Sequence, residues 1–138
     1  MPNVYLAGIQ YNECTECGSV AGIFPKLSSL LDTLTSTVVQ KSSLLTPLEI
    51  KYLRKAARKK AADFAKIIGV SAEQVSRWEN GHNPPEKSAD KLIRLLAVSR
   101  VDSRKQDAIL NLDYRALGKE SYLLSFRQKK WSGAFSTK

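Results

Sequence analysis

Histidine is nearly missing from this chain. His82 is the only one in 138 residues, and two cysteines, Cys14 and Cys17, are the only thiols. No pair of metal-ligating histidines, no nucleophile elbow and no phosphate-cradling glycine loop is present, so the sequence predicts no enzyme. Glycine and proline are sparse, at 7 and 5 residues, and there is no low-complexity tract or internal repeat. Long apolar runs are absent too. None approaches the roughly 20 residues needed to cross a bilayer. The opening MPNVYLAGIQYNE lacks the basic region and apolar stretch of a secretion signal. The expectation is a cytoplasmic protein with no membrane contact. Acidic residues are the scarcer charge, 13 against 22 Lys and Arg, for a net +9.

The positive charge is unevenly spread. Residues 1–40 carry one Lys against three acids, residues 41–100 carry 13 cations against six acids, and residues 101–138 carry eight against four. Net charge thus turns from −2 in the first region to +7 and +4 in the others. Such a step is expected where the later segments face a polyanion and the first does not.

Three segments follow. In residues 1–45, VYLAGIQY and SVAGIF are β-favouring runs around NECTECG, which predicts a hairpin. Leu27, Leu30, Leu31, Leu34 and Val38 then recur at helical spacing, predicting one amphipathic helix over 26–41. KSSLL at 41–45 reads as a short linker. In residues 46–98, Thr46, Pro47 and Glu49 form a helix-start signature, with Ile50, Leu53 and Ala57 facing inward. Short helices follow at 61–70, from Ser71 to Asn80-Gly81, and at 85–98, the last with Ala89, Leu92, Leu95 and Leu96 inward. Residues 99–138 would begin with a helix over 102–118, capped by Asp102 or Ser103, whose Ile109, Leu112 and Ala116 offer a dimer contact. A basic-aromatic tail follows, in which SYLLSF could form a strand. Tyr122, Phe126, Trp131 and Phe135 in that tail are expected to pack on the protein rather than to stack on bases.

DFAKIIGVSAEQVSRWENG, within residues 46–98, resembles the helix-turn-helix of Xre/Cro phage repressors. The resemblance implies a mainly α fold, a five-helix phage-repressor-like domain joined to the small N-terminal β-hairpin plus helix. Ala65 would stand where two helices cross, Gly69 in the turn, and Phe64, Ile68, Val70, Val75 and Trp78 inward. Arg54 and Glu79 would form a structural ion pair. The third helix of this fold enters the major groove, leading with its N-terminal part. Ser71, Ala72, Glu73, Gln74 and Arg77 would then read bases, Arg77 foremost through guanine O6 and N7. Lys51, Lys55, Lys60 and Asn80 would touch phosphates. His82 is a loop residue. The chain departs from the family at RKKA, 58–61, where Lys59 and Ala61 replace the usual Leu and Gln.

The hairpin with its C-x-x-C, joined to LTPLEIKYLRKA and SRWENG, resembles the MqsA/YgiT-type antitoxin family. That likeness implies a homodimeric repressor of its own operon on double-stranded operator DNA, with an N-terminal region that engages a toxin, so a type II toxin–antitoxin system. A phage or mobile-element repressor without a toxin partner is the alternative. Zinc at Cys14 and Cys17 is the implied cofactor. Structural zinc takes four ligands, so the site would be shared between two subunits or completed by Glu13 or Glu16, or else it has decayed and the two cysteines only tighten the turn. A thiol redox sensor using the same cysteines is the reading from another class.

Overall fold

The computed structural model describes residues 1–99, 103–114 and 120–137. Strand β1 (Val4–Ala7) leads at Gly8 into a hairpin of β2 (Gln10–Glu13) and β3 (Val20–Ile23). Five helices follow: α1 (Leu27–Val38), α2 (Pro47–Ala56), α3 (Ala61–Ile68), α4 (Ala72–Glu79) and α5 (Lys87–Val98). A 3-10 turn (Ser103–Lys105) runs into the short α6 (Gln106–Leu110), and the chain ends in β4 (Glu120–Arg127) and β5 (Lys130–Thr137). The fold is mainly α with small β elements around a helix-turn-helix.

The N-terminal run does not form one strand. β1 pairs parallel with β4, Val4 opposite Tyr122, and β5 completes a sheet of order β1-β4-β5. Parallel strands need a crossover, and here every helix lies in it. β2 and β3 form a separate two-stranded sheet whose residues are exposed apart from half-buried Gly22.

α1 lies between that three-stranded sheet and helices α2 and α5. Leu30, Leu34 and Val38 are buried, joining Tyr122, Leu124 and Trp131 in one core with Ile50, Leu53, Phe64, Val75 and Ile93. Gly133 of β5 admits the helix closely, since a Cβ there would collide with Thr37 Oγ1. The buried face of α1 differs from the leucine spacing. Thr35 and Thr37 are buried, while Leu27 and Leu31 are 55% and 45% exposed. Burial of the threonines is affordable because each hydroxyl donates to a carbonyl one turn back, Leu31 O at 2.9 Å and Thr33 O at 2.8 Å.

Two further expectations are corrected. The inner face of α5 is Asp90, Ile93, Arg94, Ala97 and Val98; Leu92 is exposed and Ala89, Leu95 and Leu96 are half-buried. Asp90 and Arg94 can be buried because they satisfy each other, Arg94 Nε donating to Asp90 Oδ2 at 2.6 Å. Arg94 also donates to the carbonyls of Val39, Lys41 and Ser43, and Asp90 Oδ1 accepts from Leu45 N–H. Residues 41–45 are therefore a clamped strap with Lys41, Ser43 and Leu45 buried, not a free linker.

Of the helix expected over 102–118, the described residues 103–114 form only the 3-10 turn and α6. It ends at Asn111 because Tyr114 turns back to α5, its hydroxyl donating to Asp90 Oδ2 at 2.7 Å. Ile109 is buried in the chain's own core rather than free for a dimer contact. Asp102 and Ala116 lie outside the described residues. Among those described, no helix is long and apolar enough to cross a membrane.

Candidate nucleic-acid interface

α2 begins with a complete capping box. Thr46 Oγ1 accepts from Glu49 N–H, and Glu49 Oε2 accepts from Thr46 N–H at 2.8 Å. Its C-terminal end is unusual. Lys59 N–H donates to Arg54 O and Arg58 N–H to Lys55 O, closing a Schellman turn with Arg58, not glycine, at φ 55°. That geometry defines the 58–61 junction, and Lys60 becomes the N-cap residue of α3.

α4 is only eight residues long, too short to persist alone. Three things hold it. Ser71 Oγ accepts from Gln74 N–H at 3.1 Å at its start. Val75 and Trp78 are buried against α2 and α3. At its end Arg54 Nε and Nη2 donate to the two oxygens of Glu79 at 2.6 and 3.0 Å, while Arg54 Nη1 reaches Lys59 O. The Glu79 hydrogen bond holds the Arg54 guanidinium above its ordinary pKa. One side chain thus ties α2, the α2–α3 turn and α4 together.

Ser71, Ala72, Glu73, Ser76, Arg77 and Asn80 are exposed on α4 and its flanks. Glu73, Ser76, Arg77 and Asn80 share an open hollow of about 690 Å³ with His82 and Asn83. Ser76 and Asn83 were not singled out in the sequence, although Ser76 stands three residues after Glu73 and so shares its face. Gln74 sits apart. It is half-buried and lines a neighbouring hollow with Ile68, Val70 and Pro84. Glu73 is held below the usual carboxylate range by hydrogen bonds from its own backbone N–H and from Ser71, then by the charge of Arg77. It remains an acceptor at neutral pH, chemistry suited to a cytosine amino group.

Lys51, Lys55, Arg58 and Lys60 are exposed around this helix pair. Lys51 stands three residues before Arg54 on α2 and so shares the face that reaches the end of α4.

Residues 50–102 match the family described as Helix-turn-helix. Over 83 residues the chain is 34% identical to the HTH-type transcriptional regulator YiaG of Escherichia coli K12, spanning 57% of this chain and 86% of that protein. The chain belongs to the HTH-type transcriptional regulators. YiaG of E. coli strains CFT073 and O157:H7 matches this regulator to the same extent. No solved structure matches it.

The regulator's two cysteines lie at the tip of the β2–β3 hairpin, both free and exposed. Cys14 N–H donates to Ser19 O, and Gly18 N–H to Cys14 O, each at 2.9 Å. Cys17 Sγ lies 3.1 Å from Ser19 Oγ. Among the described residues no group of three or more His, Cys, Asp or Glu is placed to hold a metal ion. Glu13 and Glu16 are not grouped with the two thiols in this structure. Cys14 and Cys17 are the residues that could supply two of the four ligands structural zinc takes.

Proposed function

We propose that this regulator is a repressor that reads operator DNA with the exposed face of α4, Arg77 making the principal base contact. The observation that carries the reading is the bracing of α4 at both ends with Arg77 left exposed and cations on the adjoining helix. Ser71, Ala72 and Glu73 lead into the groove, while Lys51, Lys55, Lys60 and Asn80 grip phosphates. Two copies bind half-sites about 34 Å apart, or a multiple of that. Their contact is the apolar groove between α3, α5 and α6, formed by Ile67, Leu92, Leu95, Leu96 and Leu110. It replaces the buried Ile109 as the dimer surface.

The same reading makes the regulator an autoregulating antitoxin of a type II toxin–antitoxin pair. Tyr11, Val20, Ile23 and Phe24 of the hairpin, with Leu27 and Leu31 of α1, are large apolar side chains left exposed. A two-stranded hairpin is marginal by itself, and this one belongs to a region of net charge −2, complementary to a basic protein. A phage-type repressor would lack such a partner, so co-purification with the product of a neighbouring short gene separates the two.

A mobility-shift titration on the protein's own upstream DNA tests the reading helix. Arg77→Ala should lose about tenfold or more in operator-over-scrambled preference, one bidentate base contact providing about 1–3 kcal/mol of discrimination. Unchanged preference in the variant would remove Arg77 from the role.

A further inference from the structure

The turn between β4 and β5 is built from residues that the geometry disfavours. Arg127 and Lys130 are paired across the hairpin, so Gln128 and Lys129 form a two-residue loop with φ of 48° and 61°. Positive φ at both central positions is type I′ geometry, normally Asn-Gly. Lys26, beside this turn, has φ 49°. Three of the four non-glycine residues with positive φ, among the described residues, therefore converge on one spot. Such backbone is strained and persists where its surroundings fix it.

Those surroundings are present. Lys26 Nζ donates to Lys129 O at 3.3 Å, Trp131 Nε1 donates to Pro25 O at 2.8 Å, and the Trp131 ring packs on Phe126 at 5.1 Å. Charge adds a second penalty. Like charges directly opposite in a hairpin repel, and Arg127 faces Lys130. Lys26, Arg127, Lys129 and Lys130 are all exposed, and among the described residues none is paired with a carboxylate. The two facing cations point away from α1, on the side of β4 opposite Tyr122, Leu124 and Phe126. The hairpin packs on α1, whereas α4 packs on α2 and α3.

We propose that this fixed cluster of four cations is a second nucleic-acid site, which grips the phosphate backbone of DNA without reading sequence and acts separately from α4. The proposal rests on the operator-binding reading only for the choice of DNA as the polyanion. Its contacts would add affinity and salt dependence but no base preference.

The test is fluorescence anisotropy of the full-length protein, titrated at several salt concentrations. One duplex of the upstream region just spans the α4 half-sites, and the other carries long flanks. Each lost phosphate contact lowers the slope of log K against log salt by about 0.9. The triple variant Arg127→Gln, Lys129→Gln, Lys130→Gln should flatten it by about 2–3, with operator preference kept. Loss confined to the long duplex places the contact on flanks of the same DNA. Loss on both, with two duplexes per wild-type complex, places it on a second DNA segment. A folded triple variant with the wild-type slope on both lengths overturns the proposal.

Should the triple variant fail to fold, Gln128→Asn with Lys129→Gly decides, since it favours the turn while removing one cation. Its melting temperature should rise and its slope fall by about 0.9; a rise with no change in slope overturns the proposal. Arg77→Ala does the reverse of the tip variants, lowering preference about tenfold or more and leaving the slope nearly intact. Failure of the α4 reading and failure of the tip are thereby told apart.

Discussion

Arg58 and Gly81 occupy the same place in two identical turns. After α4, His82 N–H donates to Arg77 O and Gly81 N–H to Trp78 O, with Gly81 at φ 79°, the pattern made at Arg58 after α2. A side chain in that conformation costs roughly 1–2 kcal/mol, which glycine avoids. Arg58→Gly should therefore stabilise the fold by about 1 kcal/mol in urea denaturation. It should also flatten the salt dependence of DNA binding, because an exposed cation of the α2–α3 turn is lost. A variant that is more stable yet binds DNA with an unchanged slope would make Arg58 a mere surface cation. Cys17 offers a different test. Hydrogen bonding by Ser19, then by Cys14, lowers its thiol to about 7. The folded value lies below the unfolded one, so ionisation favours the folded turn at high pH, and that benefit fades as pH falls through about 7. Alkylation by iodoacetamide should reach half its maximal rate near pH 7, and Ser19→Ala should move that midpoint upward. An unmoved midpoint would mean Ser19 does not set it.

The elements of the helix-turn-helix region announce themselves locally. Thr46, Pro47 and Glu49 mark the start of α2 within four residues, and the alternation of Phe64, Ala65, Ile68, Val75 and Trp78 is complete within fifteen. The strap and α5 are not legible in that way. Asp90 and Arg94 read as solvent-facing charges on a helix whose leucines should point inward, yet both are 0% exposed and Leu92 is 46% exposed. Their burial depends on carbonyls some fifty residues earlier, at 39, 41 and 43, which no local pattern reports. The strain at the 127–130 tip is not legible for the opposite reason, since it lies in dihedral angles rather than residue types. A prediction follows for the strap. Arg94→Met leaves the Asp90 carboxylate and three carbonyls buried with a donor missing, which should cost about 3–5 kcal/mol. Adding Asp90→Asn to that variant should recover part of the loss, because the stranded charge is gone. Urea titrations of both variants check this, and a single variant within 1 kcal/mol of wild type, about the worth of one ordinary hydrogen bond, would show that the network is dispensable.

At the scale of the whole molecule, pairing β1 with β4 places the first and last strands on one side of α1. Tyr122 is the link from that sheet to the helix-turn-helix region. It is fully buried, and its hydroxyl donates to Glu49 Oε1 at 2.6 Å. Glu49 Oε2 meanwhile accepts from buried Lys41 Nζ at 2.7 Å and from the backbone N–H that opens α2. A single carboxylate therefore joins the terminal sheet, the strap and the first helix of the helix-turn-helix region. Folding the sheet requires long-range closure around every helix, so sheet and helices should unfold in one transition. Tyr122→Phe removes a hydrogen bond to a buried charge, worth about 1.5–3 kcal/mol. It should lower the midpoint seen by far-ultraviolet circular dichroism and by tryptophan fluorescence equally, since Trp78 lies in the helices and Trp131 in the sheet. Operator preference at low temperature should not change, because no residue of α4 is touched. Two separate transitions, with the helical signal unmoved by the variant, would show that the terminal sheet is an appendage and that Glu49 transmits nothing across α1.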